Sequence, residues 1–397
     1  MFSIFDLSLT DYYIIGAALF CAVLLLSLFL PAVIRVTRRV SRDASEPMPD
    51  VEYPPVSVIV YTNSDGDNLA ALLPEILEQD YPSPFEVIVV NDGDASEIEC
   101  SIGALELRYS NLYMTYAPSR SRNLSRKKLS LTLGIKAARY DTVVITSGNC
   151  RPCSSLWLRG LCRNFTDGKD IVIGYAIPAQ YPESTRPRIS RTASFDETYS
   201  AVRYLSWGIA HRPFRGDGSN IAYRKCVFTD AKGFSSHLNL NFGDDDIFIN
   251  QVATRENTAI ELSPDSMVYS FENDPSHAHR FNKMRYDFTS RRIHTGAFRY
   301  FAACSWLWWL WLLTSAGATA YGLLVGTMSL IPALAVTAIA LGLCIPVMVA
   351  WRSCARSLAA RPLCLTVIWF ILLHPFYNIY YRIRGHYSKS RNFTWEF

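Results

Sequence analysis

The stretch VSVIVYTNSDGDNLAALLPEILEQDYPSPFEVIVVNDG, Val56 to Gly93, decides the fold. It opens on a run rich in β-branched residues, passes through a polar loop and enters the helical spacing of LAALLPEILEQ. It closes on a second apolar run, FEVIVV, that ends at Asn91-Asp92-Gly93. Strand, helix, strand in this order is a βαβ unit. A second unit follows: LYMTYAP reads as a strand, LSLTLGIKAA as a helix, and DTVVITS as another strand ending at Ser147-Gly148-Asn149. Alternating units of this kind predict a mostly parallel, Rossmann-like sheet covered by helices. Ligands are expected at the carboxyl ends of the strands, where Asp92 and Ser147 to Asn149 fall.

The rest of the chain is built around this centre. Its 397 residues are 50% hydrophobic and 19% charged, which excludes a disordered or fibrous protein. A net charge of +4 with no lysine block excludes nucleic acid as a partner. The ten cysteines show no disulfide framework, and Cys150 and Cys153 form a lone CxxC without the second pair of a zinc ribbon. They read as packed thiols.

Mean hydropathy is +0.09, and the apolar residues gather at the two ends. Residues 1–40 read as a membrane anchor, because the run from Tyr12 to Val36 is long enough to cross a hydrocarbon core of roughly 30 Å. Arg35, Arg38, Arg39 and Arg42 follow the run, which places the central domain in the cytoplasm, at the inner membrane if the cell is bacterial. Residues 41–55 read as a linker, 56–275 as the α/β domain and 276–300 as a basic amphipathic helix on the membrane surface. Residues 301–382 form a C-terminal membrane region of two or three spans, and 383–397 a basic tail. If all three apolar stretches cross, that tail ends outside the cytoplasm, against the positive-inside rule. Either one stretch, the Trp-rich one first, is interfacial or re-entrant, or the tail is an exception.

Five pieces of sequence come in an order that resembles the membrane-anchored glycosyltransferases of family 2: the opening stretch, then KKLSLTLGIKAARYDTVVITSGNCRP, GDGSNIAYRKCVF with KGF, GDDDIFIN, and NKMRY. The resemblance covers about residues 55 to 295. It implies an α/β domain of GT-A fold with transmembrane helices at both ends. It also implies inverting transfer of a sugar from a nucleotide-sugar donor, UDP-linked by preference, to a lipid-linked or polysaccharide acceptor. Membrane lipids and other membrane proteins are the further partners expected.

The same resemblance assigns roles. Thr62, Asn63 and Asp92 hold the donor's base and ribose, with a turn-capping aspartate as the competing reading of Asp92. Lys127 and Lys128 open a helix near the diphosphate, or form a solvated basic face. Gly216, Gly218 and Asn220 lie on the acceptor side, unless they form a plain turn. In Asp244-Asp245-Asp246, Asp245 is the expected general base and Asp244 its neighbour, since a base must take the proton of the attacking hydroxyl. Asp246 is placed on the acceptor side, or caps the helix IFINQVAT. Arg285 is expected to neutralise the leaving diphosphate. Where family 2 carries two aspartates separated by one residue, this chain has Ser147-Gly148-Asn149. Both residues stay in the donor site, with Asn149 a weak candidate ligand for a weakened Mg²⁺ or Mn²⁺. The departure leaves open a relative without turnover that binds nucleotide sugar, glycolipid or a partner enzyme as a regulator or scaffold.

Overall fold

The structure, a computed structural model, describes residues 9–49, 52–62, 66–92, 95–116, 124–166, 168–325 and 330–386. In chain order its first elements are α1 (Leu9–Ser45), β1 (Val56–Thr62), α2 (Gly66–Leu77), β2 (Phe85–Asn91), α3 (Ala95–Arg108), β3 (Leu112–Tyr116), α4 (Arg126–Ala137) and β4 (Thr142–Ser147). There follow β5 (Cys150–Pro152), α5 (Trp157–Cys162), β6 (Ile171–Ile173), β7 (Ala176–Gln180), α6 (Arg191–Ala210), β8 (Ile221–Arg224), α7 (Lys225–Asp230) and α8 (Ile247–Val252). The last are β9 (Thr258–Ile260), β10 (Val268–Glu272), α9 (Pro275–Ser290), α10 (Ala297–Val325), α11 (Leu330–Ser357) and α12 (Val367–His386). They form two units: a helical one of Met1–Thr37, Ser194–Arg203 and Gly296–Tyr380, and an α/β one comprising the rest.

In the α/β unit, seven strands form one sheet in the order β3-β2-β1-β4-β8-β6-β9. The strands β3, β2, β1 and β4 run parallel, as the βαβ pattern requires, and β8 enters antiparallel between β4 and β6. The apolar runs that specified β1 and β2 are buried along nearly their whole length, as expected of strands covered on both faces. Register then does the positioning: Thr62 pairs with Asn91 and Tyr61 with Ser147, so the carboxyl ends of β1, β2 and β4 lie level. Helix α4 packs tightly on them. A Cβ on Gly134 would come within 2.8 Å of both Ile59 and Val90, which accounts for a glycine that costs the helix about 1 kcal/mol of propensity. Beyond β4, a small sheet β5-β10-β7 carries the chain from Asn149 toward α9.

Helix α1 continues past the apolar run to Ser45, so residues 41–45 are helical where a linker was expected. A buried ion network holds this end within the α/β unit. Arg163 makes a bidentate pair with the fully buried Glu261 (Nε to Oε2 3.0 Å, Nη2 to Oε1 2.9 Å) and donates to the Asp43 carbonyl at 3.0 Å. Asp43 in turn accepts from Leu262 N at 3.0 Å and from Arg39 Nε at 2.8 Å.

The helical unit contains most of α1, the Ser194–Arg203 stretch of α6, and α10 to α12 up to Tyr380. Its interior is aromatic, with Phe195 against Trp351 at 4.8 Å and Tyr199 edge-on to His374 at 4.8 Å between ring centroids. Outward, Leu313, Leu341, Val349 and Trp369 are each more than 60% exposed. Among the described residues two stretches, Asp11–Ser45 and Leu334–Ser357, are long and apolar enough to cross a membrane by length and composition. The region expected to be one amphipathic helix over 276–300 ends at Ser290, and α10 begins only at Ala297.

Because Arg163 is buried, removing its counter-charge leaves a cation stranded. Glu261→Gln is expected to destabilise the α/β unit by ~3–5 kcal/mol. Thermal unfolding in detergent, followed by near-ultraviolet circular dichroism, measures this; an unchanged midpoint refutes the anchoring role.

Candidate active site

Two clusters face each other near the level strand ends. At the first, the Asp92 backbone N–H donates to the Thr62 carbonyl at 2.8 Å. The Asp92 carboxylate is buried between Arg126, whose Nε donates to Oδ1 at 2.7 Å, and the Tyr61 hydroxyl, 3.1 Å from Oδ2. Arg126 Nη2 also donates to the Asp92 carbonyl. A base or ribose edge at Asp92 therefore uses the lone pairs these two partners leave. Arg126 carried no signal of its own beyond standing next to Lys127. Asn63 lies outside the described residues.

The second cluster is the aspartate triplet. Gly243, at φ 110°, turns the chain into it; a Cβ there would stand 2.6 Å from Ile247, so the position belongs to glycine. Asp244 Oδ2 accepts from Lys127 Nζ at 2.6 Å, and Asp245 Oδ2 from Arg285 Nη2 at 3.1 Å. Asp245 is 3% exposed, and its Oδ1 has no hydrogen-bond partner among the described residues. Burial would raise the Asp244 carboxyl, but Lys127 and Arg285 outweigh it and hold the group down at about 2. Burial likewise opposes the Lys127 charge, and Asp244 with Asp245 keeps the ammonium above the ordinary lysine range. Lys127 also sits over the Tyr61 ring at 5.7 Å, so a single ammonium adjoins both clusters.

Arg285 comes from α9. That helix directs Arg285 and Thr289 at the aspartates, a role different from the surface helix expected on composition. Arg285 Nη2 donates to the Tyr286 hydroxyl at 2.5 Å, and Arg215 stacks on the opposite partner of that pair, 3.2 Å from the Tyr286 ring centroid and 5.0 Å from that of Tyr204. Arg215 was not legible beforehand, since a lone arginine before GDG matches no pattern.

Several expected site residues have other employment. Lys128 is fully buried, and its Nζ donates to three carbonyls, His237 at 2.7 Å, Leu240 at 3.0 Å and Phe242 at 2.7 Å. All three of its N–H bonds are spent on the loop that leads into the triplet, so none is left for a diphosphate. Asn220 is also fully buried: it accepts from Trp157 Nε1 at 3.0 Å and donates to the carbonyls of Tyr175 and Ser266, which uses both of its amide N–H bonds. Asp246 is the N-cap of α8, with Oδ1 accepting from Ile247 N at 2.7 Å and Oδ2 from the Thr289 hydroxyl. It takes the capping role rather than the acceptor-side one. Gly216 makes room for Ile221, 2.8 Å from a Cβ there, whereas Gly218 does approach the carboxylates, its Cβ position lying 3.2 Å from Asp245 Cβ and 3.4 Å from Asp244 Oδ2.

The turn Ser147-Gly148-Asn149 stands where a cation site was expected. Gly148 N donates to the Tyr61 carbonyl at 2.8 Å, and a Cβ on Gly148 would press on Thr62 at 3.0 Å, so the turn is pinned to β1. Asn149 Nδ2 donates to the Phe271 carbonyl at 3.0 Å and to Glu272 at 3.3 Å, and its Oδ1 lies 3.5 Å from Cys150 Sγ. Among the described residues no three His, Cys, Asp or Glu side chains are placed to hold a metal ion. A turn of neutral oxygens with its amide committed to β10 does not fit a hard divalent cation. Cys150 and Cys153 carry free thiols, both pushed up to about 11 by burial.

The profile of glycosyl transferase family 21 matches residues 19–374. The chain belongs to that family, so it is a glycosyltransferase by descent; the family is 21, where the motifs had suggested family 2. No curated protein matches the chain. Among solved structures, the mannosyltransferase PcManGT from Pyrobaculum calidifontis, in complex with GDP-Man and Mn²⁺, is similar over 91% of this chain and 99% of its own, with a TM-score of 0.52 and 17% identity. At that identity the likeness is one of fold, and it agrees with the mostly parallel α/β architecture. S. aureus TarS 1-349 is similar over 83% of this chain and 88% of its own, at 14% identity and a TM-score of 0.40.

The triplet supplies a pH test. Burial first, and the Asp245 charge second, push the Asp246 carboxyl up to about 6 from an ordinary 3.8. Between those values the folded chain binds more protons than the unfolded one, so this group's contribution to stability falls as pH rises from about 4 to about 6 and is flat above. Asparagine still caps the helix. The thermal midpoint of Asp246→Asn relative to the parent is therefore expected to rise across that window and level off beyond it; a difference independent of pH contradicts the assignment.

Proposed function

We propose that the protein is an inverting glycosyltransferase of the membrane. It moves a sugar from a nucleotide-sugar donor to the hydroxyl of a lipid-linked or glycan acceptor at the cytoplasmic face, with Asp245 as the base. The observation that carries this reading is the orphaned Oδ1 of a buried carboxylate whose other oxygen is held by Arg285. A buried acceptor atom without a partner is costly, and an incoming hydroxyl removes the cost.

In the step itself, the acceptor oxygen attacks the anomeric carbon while its proton passes to Asp245 Oδ1. The bond from that carbon to the phosphate oxygen breaks, and the nucleoside diphosphate leaves with the electron pair. Thr62 and Asp92 face the nucleoside, Arg285 holds Asp245 Oδ2 so that Oδ1 meets the acceptor hydroxyl, and the diphosphate leaves from the face of the anomeric carbon opposite the base. Lys128 acts from behind, by holding the loop ahead of the triplet. The exposed apolar side chains of the helical unit suit lipid, which supports the membrane location. A solved neighbour holds GDP-Man, and the turn at Ser147 reads no base, so guanosine and uridine donors stand equal.

The test is release of UDP or GDP from a panel of linked hexoses by membranes carrying the protein. Asp245→Asn is expected to lower the rate by about 10²–10⁴ while leaving nucleoside diphosphate affinity in place. Equal release by the variant refutes Asp245 as base. The neutral Ser147-Gly148-Asn149 turn favours one second reading, a relative that binds nucleotide sugar, glycolipid or a partner enzyme without turnover; it is supported instead if the parent binds and releases nothing.

A further inference from the structure

Beneath the proposed donor site lies an arrangement of charge that runs against helix electrostatics. Helix α4 begins Arg126-Lys127-Lys128, three cations in the turn where the helix dipole already places positive charge, with no acidic residue among them. The side chain of its N-cap, Ser125, does not cap it; Ser125 Oγ donates to the Asn241 carbonyl at 3.2 Å instead. Of the three cations, Arg126 is bound to Asp92 and Lys128 to its three carbonyls. Lys127 differs. Its side chain keeps 24% of its exposure, and its ammonium lies between the Tyr61–Asp92 cluster and the Asp244–Asp245 cluster, touching the first through the Tyr61 ring and the second through Asp244.

That placement fits a particular ligand. A nucleotide sugar whose nucleoside sits at Asp92 and whose anomeric carbon meets an acceptor hydroxyl held at Asp245 must run its diphosphate through the space between, which is where Lys127 lies. In the same site the turn at Ser147 does not fit a divalent cation. We infer that this chain holds the donor's diphosphate without a metal ion, with the Lys127 ammonium as the counter-charge and Arg285 as its neighbour on the base side. The inference rests on the proposed function and adds to it how the site handles phosphate. On binding, Lys127 exchanges or shares its Asp244 partner with phosphate oxygens. Asp244 is the natural resting partner, because an unpaired buried ammonium at this point would be costly.

The measurement is calorimetric titration of the purified, detergent-solubilised full chain with UDP, GDP and the parent nucleosides, in EDTA and in Mn²⁺. UDP or GDP is expected to bind with Kd values that agree within about twofold in the two conditions. Lys127→Gln is expected to weaken the diphosphate by at least about tenfold, the size of one charge-assisted hydrogen bond, and to leave uridine or guanosine affinity unchanged. Lys127→Arg is expected to restore most of the diphosphate affinity, and a melting curve for each variant separates lost charge from lost fold. A Ser147→Asp, Asn149→Asp double variant is expected to acquire a Mn²⁺ dependence that the parent lacks. Diphosphate binding that requires Mn²⁺ in the parent overturns the inference and leaves the proposed function standing. An equal loss of nucleoside and diphosphate binding in Lys127→Gln overturns it as well, by making the lysine structural. No binding of either nucleotide in either condition overturns both.

Discussion

Three consecutive aspartates, Asp244 to Asp246, are all buried, and three buried carboxylates can be tolerated only where cations and hydrogen-bond donors meet them one by one. Much of the α/β unit is arranged to supply those partners. Helix α4 brings Lys127 to Asp244, α9 brings Arg285 to Asp245 and Thr289 to Asp246, and the N-terminus of α8 takes Asp246 as its cap. Lys128 ties down the loop that precedes the triplet. Lys127 and Arg285 come from helices far apart in the sequence, so their ion pairs also tie distant segments to the triplet.

Within that balance one oxygen is left over. Asp245 Oδ1 has no partner among the described residues, while the Asp244 carboxyl is held at about 2 and Asp246 is pushed up to about 6. Burial first, and the neighbouring Asp245 charge second, move the Asp246 carboxyl toward neutrality, and that group is bonded to a helix terminus and a threonine. Neighbouring residues of one chemical type thus divide their roles by what faces them, not by their identity.

Much of the architecture was legible in the apolar runs. VSVIVY, FEVIVV and TVVIT are buried strands because β-branched residues covered on two faces leave no other economical arrangement, and their order required parallel pairing. Site residues fared less evenly. Asp92 pairs with Arg126, Asp244 with Lys127 and Asp245 with Arg285, whereas Lys128 and Asn220 turn inward to backbone carbonyls. A motif of adjacent residues cannot say which of two lysines on a helix turn faces the cleft, since about 100° of rotation separates them. Arg126 and Arg215 were missed because their partners, Asp92 and Tyr286, lie far away along the chain.

The amino-acid sequence by itself determined the strand and helix order, the apolar ends, the carboxylate run and the replacement of two expected acids by Ser147 and Asn149. These are local properties, set by side-chain periodicity and residue type. Tertiary structure alone decided which cation pairs with which carboxylate, which expected ligand is spent on packing, and which carboxylate oxygen remains open. Each of those depends on distances between segments that only the closed sheet and its covering helices bring within a few ångströms, the range over which buried charges and hydrogen bonds act.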